Sequence, residues 1–104
     1  MLDQTSFEAL GLSDAALARI EWLESGRDLE IALVRASGEP LTLVCSWAQA
    51  REIHLRTGAR EGGYPLTWSA ALVPAGKHWR LSLDFASQGR VELLCNGVFI
   101  GPQD

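Results

Sequence analysis

The sequence predicts an all-β domain: a single antiparallel sandwich or strongly curved open sheet of about six or seven strands, with at most one short N-terminal helix. Three observations carry this. Apolar residues recur at period two in short runs, most cleanly Trp79, Leu81, Leu83 and Phe85 between Arg80, Ser82 and Asp84; that period puts one face of a strand in a core and the other in water. Turn-forming clusters of Gly, Pro, Ser and Asn separate these runs about every 10–15 residues. The chain has 104 residues, 47% of them hydrophobic, which suits one modest core and hence a single domain over residues 1–104.

Taken in order, residues 6–11 suit one helical turn closed by Gly11. Residues 13–26 fit two states. Ser13 as an N-cap, with Ala15, Ala16, Leu17 and Ala18 behind it, suits a helix. Ala18, Ile20 and Trp22 alternate with Arg19, Glu21 and Leu23 as a strand does. The turn Ser25-Gly26-Arg27-Asp28 and the alternating Leu29, Ile31 and Leu33 favour the strand, as the first arm of a hairpin. After a turn at Ser37-Gly38-Glu39-Pro40, Leu41, Leu43, Cys45 and Trp47 form the next strand. Residues 46–57 are again open. They read as a bend or bulge at Ala48-Gln49-Ala50 followed by a strand with Ile53 and Leu55 on one side, or as one helix stopped by Gly58.

Residues 58–65 are the longest polar stretch and read as a mobile loop ending in Tyr64 and Pro65. Leu66, Trp68, Ala70 and Leu72 follow at period two, then a turn at Pro74-Ala75-Gly76-Lys77 and the clean strand from Trp79. Ser87-Gln88-Gly89-Arg90 turns the chain back into Val91, Leu93 and Cys95. Asn96-Gly97 is a strong bend signal, after which Val98, Phe99 and Ile100 add a short last strand.

Charge and composition narrow the function classes. Nine bases against thirteen acids give a net charge of −4, which argues against non-specific nucleic-acid binding. The excess lies in residues 1–52, which hold nine acids and four bases. No apolar run approaches the roughly 18–20 residues that cross a bilayer. The first residues carry no basic and apolar leader pattern, so the expected compartment is the cytoplasm. Cys45 and Cys95 form no CxxC pair and both sit in apolar runs. They read as buried, reduced thiols, with a disulfide open to them if neighbouring strands bring them together. Together with His54 and His78 they match no zinc spacing, and no cofactor is expected. No GxSxG elbow, HExxH pair or phosphate-cradling loop is present, so the enzyme reading lacks its constellation.

Two sets of residues remain as binding candidates. Glu30, Asp84 and Glu92 fall at outward strand positions and would form an acidic stripe if their strands are neighbours. All four tryptophans share the parity of their strands' apolar faces and read as core. Trp47 and Trp79, near strand ends, are the readiest exceptions, and exposed rings at Trp47, Trp68 or Trp79 would serve a small ligand or a sugar. An exposed strand edge would allow self-association as a homodimer.

The order "ALARIEW", "SGRD", "LEIAL", "LTLVCSWAQAREIHL" and "WRLSLDFASQGRVELLC" resembles small bacterial β-domains, some assigned as immunity proteins of polymorphic toxin systems. The resemblance covers roughly residues 14–100 and rests on hydrophobic patterns and turns. Where that pattern opens on "HDA", this chain has Leu12-Ser13-Asp14-Ala15, and no functional residue carries over. The resemblance implies a compact sheet of consecutive hairpins and a non-catalytic protein-binding module. Its partner would be another protein, such as a basic toxin met by an acidic surface. The loop ending in Tyr64 and the three carboxylates are the expected contact surface.

Overall fold

A computed structural model describes residues 1–23, 26–55 and 65–101; the predicted loop over residues 58–64, with Tyr64, lies outside them. The described residues hold one short helix, α1 (Gln4–Glu8), and eight strands: β1 (Ala16–Trp22), β2 (Leu29–Val34), β3 (Pro40–Ser46), β4 (Gln49–Leu55), β5 (Ser69–Ala75), β6 (His78–Asp84), β7 (Gly89–Cys95) and β8 (Gly97–Ile100). They form two four-stranded sheets, ordered β1-β2-β3-β8 and β4-β7-β6-β5, with every pair antiparallel. The all-β sandwich is as predicted, and both ambiguous segments are strands. The count is eight rather than six or seven because both segments the sequence left open hold strands, β1 and β4, and the short last strand after Asn96 pairs with β3 as well.

The core lies between the sheets. Leu29, Ile31, Leu43 and Cys45 enter it from one side, and Leu81, Leu83, Val91 and Leu93 from the other, all essentially inaccessible to solvent. Period-two alternation predicts these positions because successive side chains of a strand point to opposite faces. Phe7, also buried, pins α1 against this core. The helix starts on a capping box, in which the Asp3 carboxylate accepts from the Ser6 backbone N–H at 2.8 Å.

Two crossings join the sheets and decide where a site can lie. The first runs from β3 to β4 through Trp47 and Ala48, and the second from β7 to β8 through Asn96. They travel together. Ser46 pairs with Gly97 on one side and Gln49 with Leu94 on the other, while the Asn96 N–H donates to the Ser46 carbonyl at 2.9 Å. The first crossing turns sharply because Trp47 sits at φ 51, a left-handed conformation that a bulky side chain rarely adopts. The Asp28 carboxylate accepts from the Trp47 N–H at 3.1 Å, and the Arg27 carbonyl accepts from the Ala48 N–H at 2.7 Å. The β1–β2 turn therefore holds this corner. At the opposite end, residues 65–67 pair with the start of β1, through Leu17 N–H to the Pro65 carbonyl and Thr67 N–H to the Ala15 carbonyl, each 2.8 Å.

Three of the four tryptophans are not core, which corrects the sequence reading. Trp22 is 46% exposed, Trp47 57% and Trp68 73%. Each has a separate cause. A bulge between Leu17 and Arg19 shifts the phase of β1, and Trp22 closes that edge strand. Trp47 stands on the left-handed corner. Trp68 lies before β5 starts, and there Thr67 is the inward residue, its hydroxyl donating to the Ala15 carbonyl at 2.9 Å. Leu66 and Trp68 are consequently turned outward, although Ala70 and Leu72 beyond the bend face in. Only Trp79 is half-buried against the core.

Candidate binding cleft

The three carboxylates do not form a stripe. Glu30 lies on β2, on the outer face of one sheet, whereas Asp84 and Glu92 lie on β6 and β7 of the other. Asp84 and Glu92 are on neighbouring strands but out of register: Asp84 faces Arg90 across the ladder, and Glu92 faces Ser82. Each carboxylate also has its own partner. Arg19 pairs with Glu30. Arg90 reaches Glu92 at 3.3 Å and Glu52 at 3.5 Å, and an Asp84 oxygen accepts from the Ala86 N–H at 2.8 Å. The expected acidic contact surface is therefore split between two sheets, with Glu30 and Glu92 ion-paired and Asp84 capping a backbone N–H, because sequence parity places a side chain on a face without saying which sheet that face belongs to.

Arg90 has a structural duty that follows from register. Glu52 and Glu92 stand directly opposite each other on β4 and β7, and like charges so placed repel. Arg90→Ala should destabilise the domain by up to about 1 kcal/mol. That cost should shrink in high salt as the exposed repulsion is screened. A urea titration of both proteins at low and high salt checks this; a salt-independent difference would mean that Arg90 acts through packing.

The concave sites lie elsewhere. Where the two crossings run side by side, a cleft of about 380 Å³ opens, lined by Arg27, Trp47, Gln49, His78, Cys95 and Asn96 among others. The Arg27 guanidinium lies over the Trp47 ring, 4.7 Å from its centroid, a cation–π stack. The His78 ring Nδ1 is 3.1 Å from the Asn96 side-chain oxygen, which can only accept, so this nitrogen donates and Nε2 is left as the ring's other polar atom. Among the described residues lining the cleft none is acidic. One guanidinium, one imidazole and two amides thus meet in a chain whose net charge is −4.

Cys95, a buried residue, is also part of this lining, and Cys45 stands at the same corner, one residue before the other crossing. Both are free and buried, as their apolar context predicts. Their titrations are linked. The hydrogen bond to Cys95, together with burial, pushes the Cys45 thiol far above the ordinary range. The bond from Cys45, helped by the Gly97 backbone, draws Cys95 down against its own burial.

A second depression, about 510 Å³, runs between the edge strands β1 and β4. It is lined by Ile20, Trp22, Ile53, Leu55 and Pro65 with few polar groups. Trp68 lines neither site, and Trp79 is committed to the core, paired across the ladder with Cys95. Of the described sequence candidates, Trp47 is the one that lines the cleft at the crossings. Arg27, His78, Gln49 and Asn96 were not legible as a group, since they come from two turns and two crossings far apart in the chain. The Asn96-Gly97 bend was the one local signal among them. Among the described residues no three His, Cys, Asp or Glu side chains converge as a metal site would require, and no helix is long and apolar enough to cross a membrane.

Comparison with known proteins brought no match, whether to family models, to curated proteins or to solved structures.

Proposed function

We propose that this protein is a binding domain whose site is the cleft at the paired crossings, and that it takes a small aromatic anion. The observation carrying this reading is Trp47. A tryptophan held at φ 51 costs about 1 kcal/mol or more in backbone strain. The surrounding groups hold it there: the Asp28 carboxylate on its N–H and the Arg27 guanidinium on its ring. Strain retained at the mouth of a cleft suits a side chain placed for a ligand rather than for packing. The lining supports an anion, because Arg27, Gln49 and Asn96 offer donors and none of the described lining residues is acidic, while the nearby Asp28 carboxylate accepts from the Trp47 N–H. The indole offers a flat apolar surface, and the volume suits a molecule of one or two rings.

Isothermal calorimetry with benzoate and phenyl phosphate tests this. Saturable binding is expected, weakened about tenfold or more, or 1.4 kcal/mol, by either Arg27→Ala or Trp47→Ala. Absence of saturable heat with both probes, or binding indifferent to both substitutions, overturns the reading.

A second reading keeps the protein-binding module, immunity-type function included. It is favoured by the apolar groove between β1 and β4, where Trp22 is 46% and Ile53 43% exposed. Aromatic side chains in such positions often anchor protein contacts. The case for a basic toxin is weaker than the sequence suggested, since Glu30 lies on a different sheet from Asp84 and Glu92, and Glu30 and Glu92 are ion-paired. On this reading, Trp22→Glu would abolish capture of a stoichiometric partner that Arg27→Ala retains.

A further inference from the structure

Cys45 and Cys95 occupy equivalent places. Each is the last inward residue of its strand before a crossing, Cys45 on β3 and Cys95 on β7. Because the Asn96 N–H donates to the Ser46 carbonyl at 2.9 Å, the two crossings are fastened together one residue beyond each thiol. The two thiols consequently face the same interior corner between the sheets. Their surroundings differ. Cys95 lines the cleft, whereas Cys45 is not part of its lining and faces the packed core beside Leu29 and Val98. Cys95 thus stands at the wall of the cleft, itself only 1% exposed, and Cys45 is fully buried and not part of that wall.

We infer that Cys95 and Cys45 form a dithiol–disulfide couple that reacts with small disulfides entering the cleft, Cys95 attacking and Cys45 resolving. This does not depend on which anion, if any, the cleft binds. In the first step the Cys95 thiolate attacks one sulfur of an incoming disulfide R–S–S–R. A Cys95–S–S–R bond forms, the original S–S bond breaks, and one RS⁻ leaves and takes a proton from water. In the second step the Cys45 thiol loses its proton and attacks the Cys95 sulfur. The Cys45–Cys95 bond forms and the second RS⁻ leaves, to be protonated in turn. The protein gives up two electrons and two protons, and the disulfide becomes two thiols. The entering disulfide is the oxidant, so no other reactant is needed.

The asymmetry suits each role. Attack needs the thiolate, and the hydrogen bond from Cys45 favours it on Cys95. Resolution needs only proximity, which the fastened crossings supply. The oxidised form would staple the two sheets at the floor of the cleft, so ligand access and redox state would be linked through one residue.

The test treats reduced protein, under native conditions, with excess bis(2-hydroxyethyl) disulfide, followed by intact mass and free-thiol count. Wild type should lose two hydrogens and both thiols with no adduct retained. Cys45→Ser should stop as a mixed disulfide on Cys95. Cys95→Ser should react about tenfold or more slowly. Circular dichroism establishes that each variant is folded. If either is not, limited alkylation of wild type with peptide mapping replaces it, and the first adduct should appear on Cys95. Equal reactivity of the two thiols overturns the inference. So does oxidation of wild type that proceeds only at the rate of global unfolding, because the cleft would then give no access.

Discussion

Gly89→Ala should destabilise this domain by about 3 kcal/mol or more and lower its melting temperature by roughly 15 °C. Gly89 opens β7 at φ 121, and a Cβ there would lie 1.8 Å from the His54 carbonyl oxygen and 2.7 Å from its carbon. Both are backbone atoms of β4, so no rotamer change relieves the contact. The end of β4 must move away from β7, and among the described residues β7 is the only strand β4 pairs with. Gly76→Ala is the matched control. Gly76 also has positive φ, 66, but a Cβ there meets nothing within 4 Å. It should cost only the left-handed strain, about 1 kcal/mol. Thermal melts of the two variants separate close approach from conformation. If Gly89→Ala melts no lower than Gly76→Ala, the tight passage of β7 against β4 is wrong.

Phe85→Ala should cost about 3–5 kcal/mol, since removing a buried aromatic ring loses its transfer energy and leaves a cavity. Phe85 is 1% exposed and follows β6 immediately, where its N–H donates to the Gly89 carbonyl at 2.8 Å. Its neighbours cannot close the gap cheaply, because the hydrogen-bonded turn into β7 holds the backbone in place. Against a total stability of about 5–15 kcal/mol for a domain of ordinary size, this change brings the fold near its limit. Urea unfolding followed by tryptophan emission measures it, with half-buried Trp79 reporting on the core. A loss below about 1 kcal/mol would mean that the ring packs far less tightly than its burial indicates.

Particular residues show why the fold was legible and the site was not. The strands of the second sheet were readable because Leu81 and Leu83, and Val91 and Leu93, alternate with polar residues over whole strands. A two-residue period survives wherever one face is dry and the other wet. Cys45 and Cys95 were readable as buried for the same reason. The tryptophans were misread because parity holds only within an unbroken strand. The bulge in β1, the left-handed turn at Trp47 and the bend before β5 each reset it, and each is stabilised by contacts with distant residues: Leu17 with Pro65, Trp47 with Asp28, Thr67 with Ala15.

Sequence alone was enough for the all-β class, the two-residue period of β2, β3, β6 and β7, most turn positions and the burial of both cysteines. These depend on local chemistry: hydrophobicity along a pleat and the backbone freedom of turn residues. Which strands are neighbours was settled in three dimensions. The tertiary fold separated Glu30 from Asp84 and Glu92, brought Arg27 over Trp47, set His78 beside Asn96, and turned Cys45 and Cys95 toward the same interior corner. Pairing between strands is a choice among many partners of similar hydrophobic pattern. It is settled by how two whole sheets close on one core, which no short window of sequence contains.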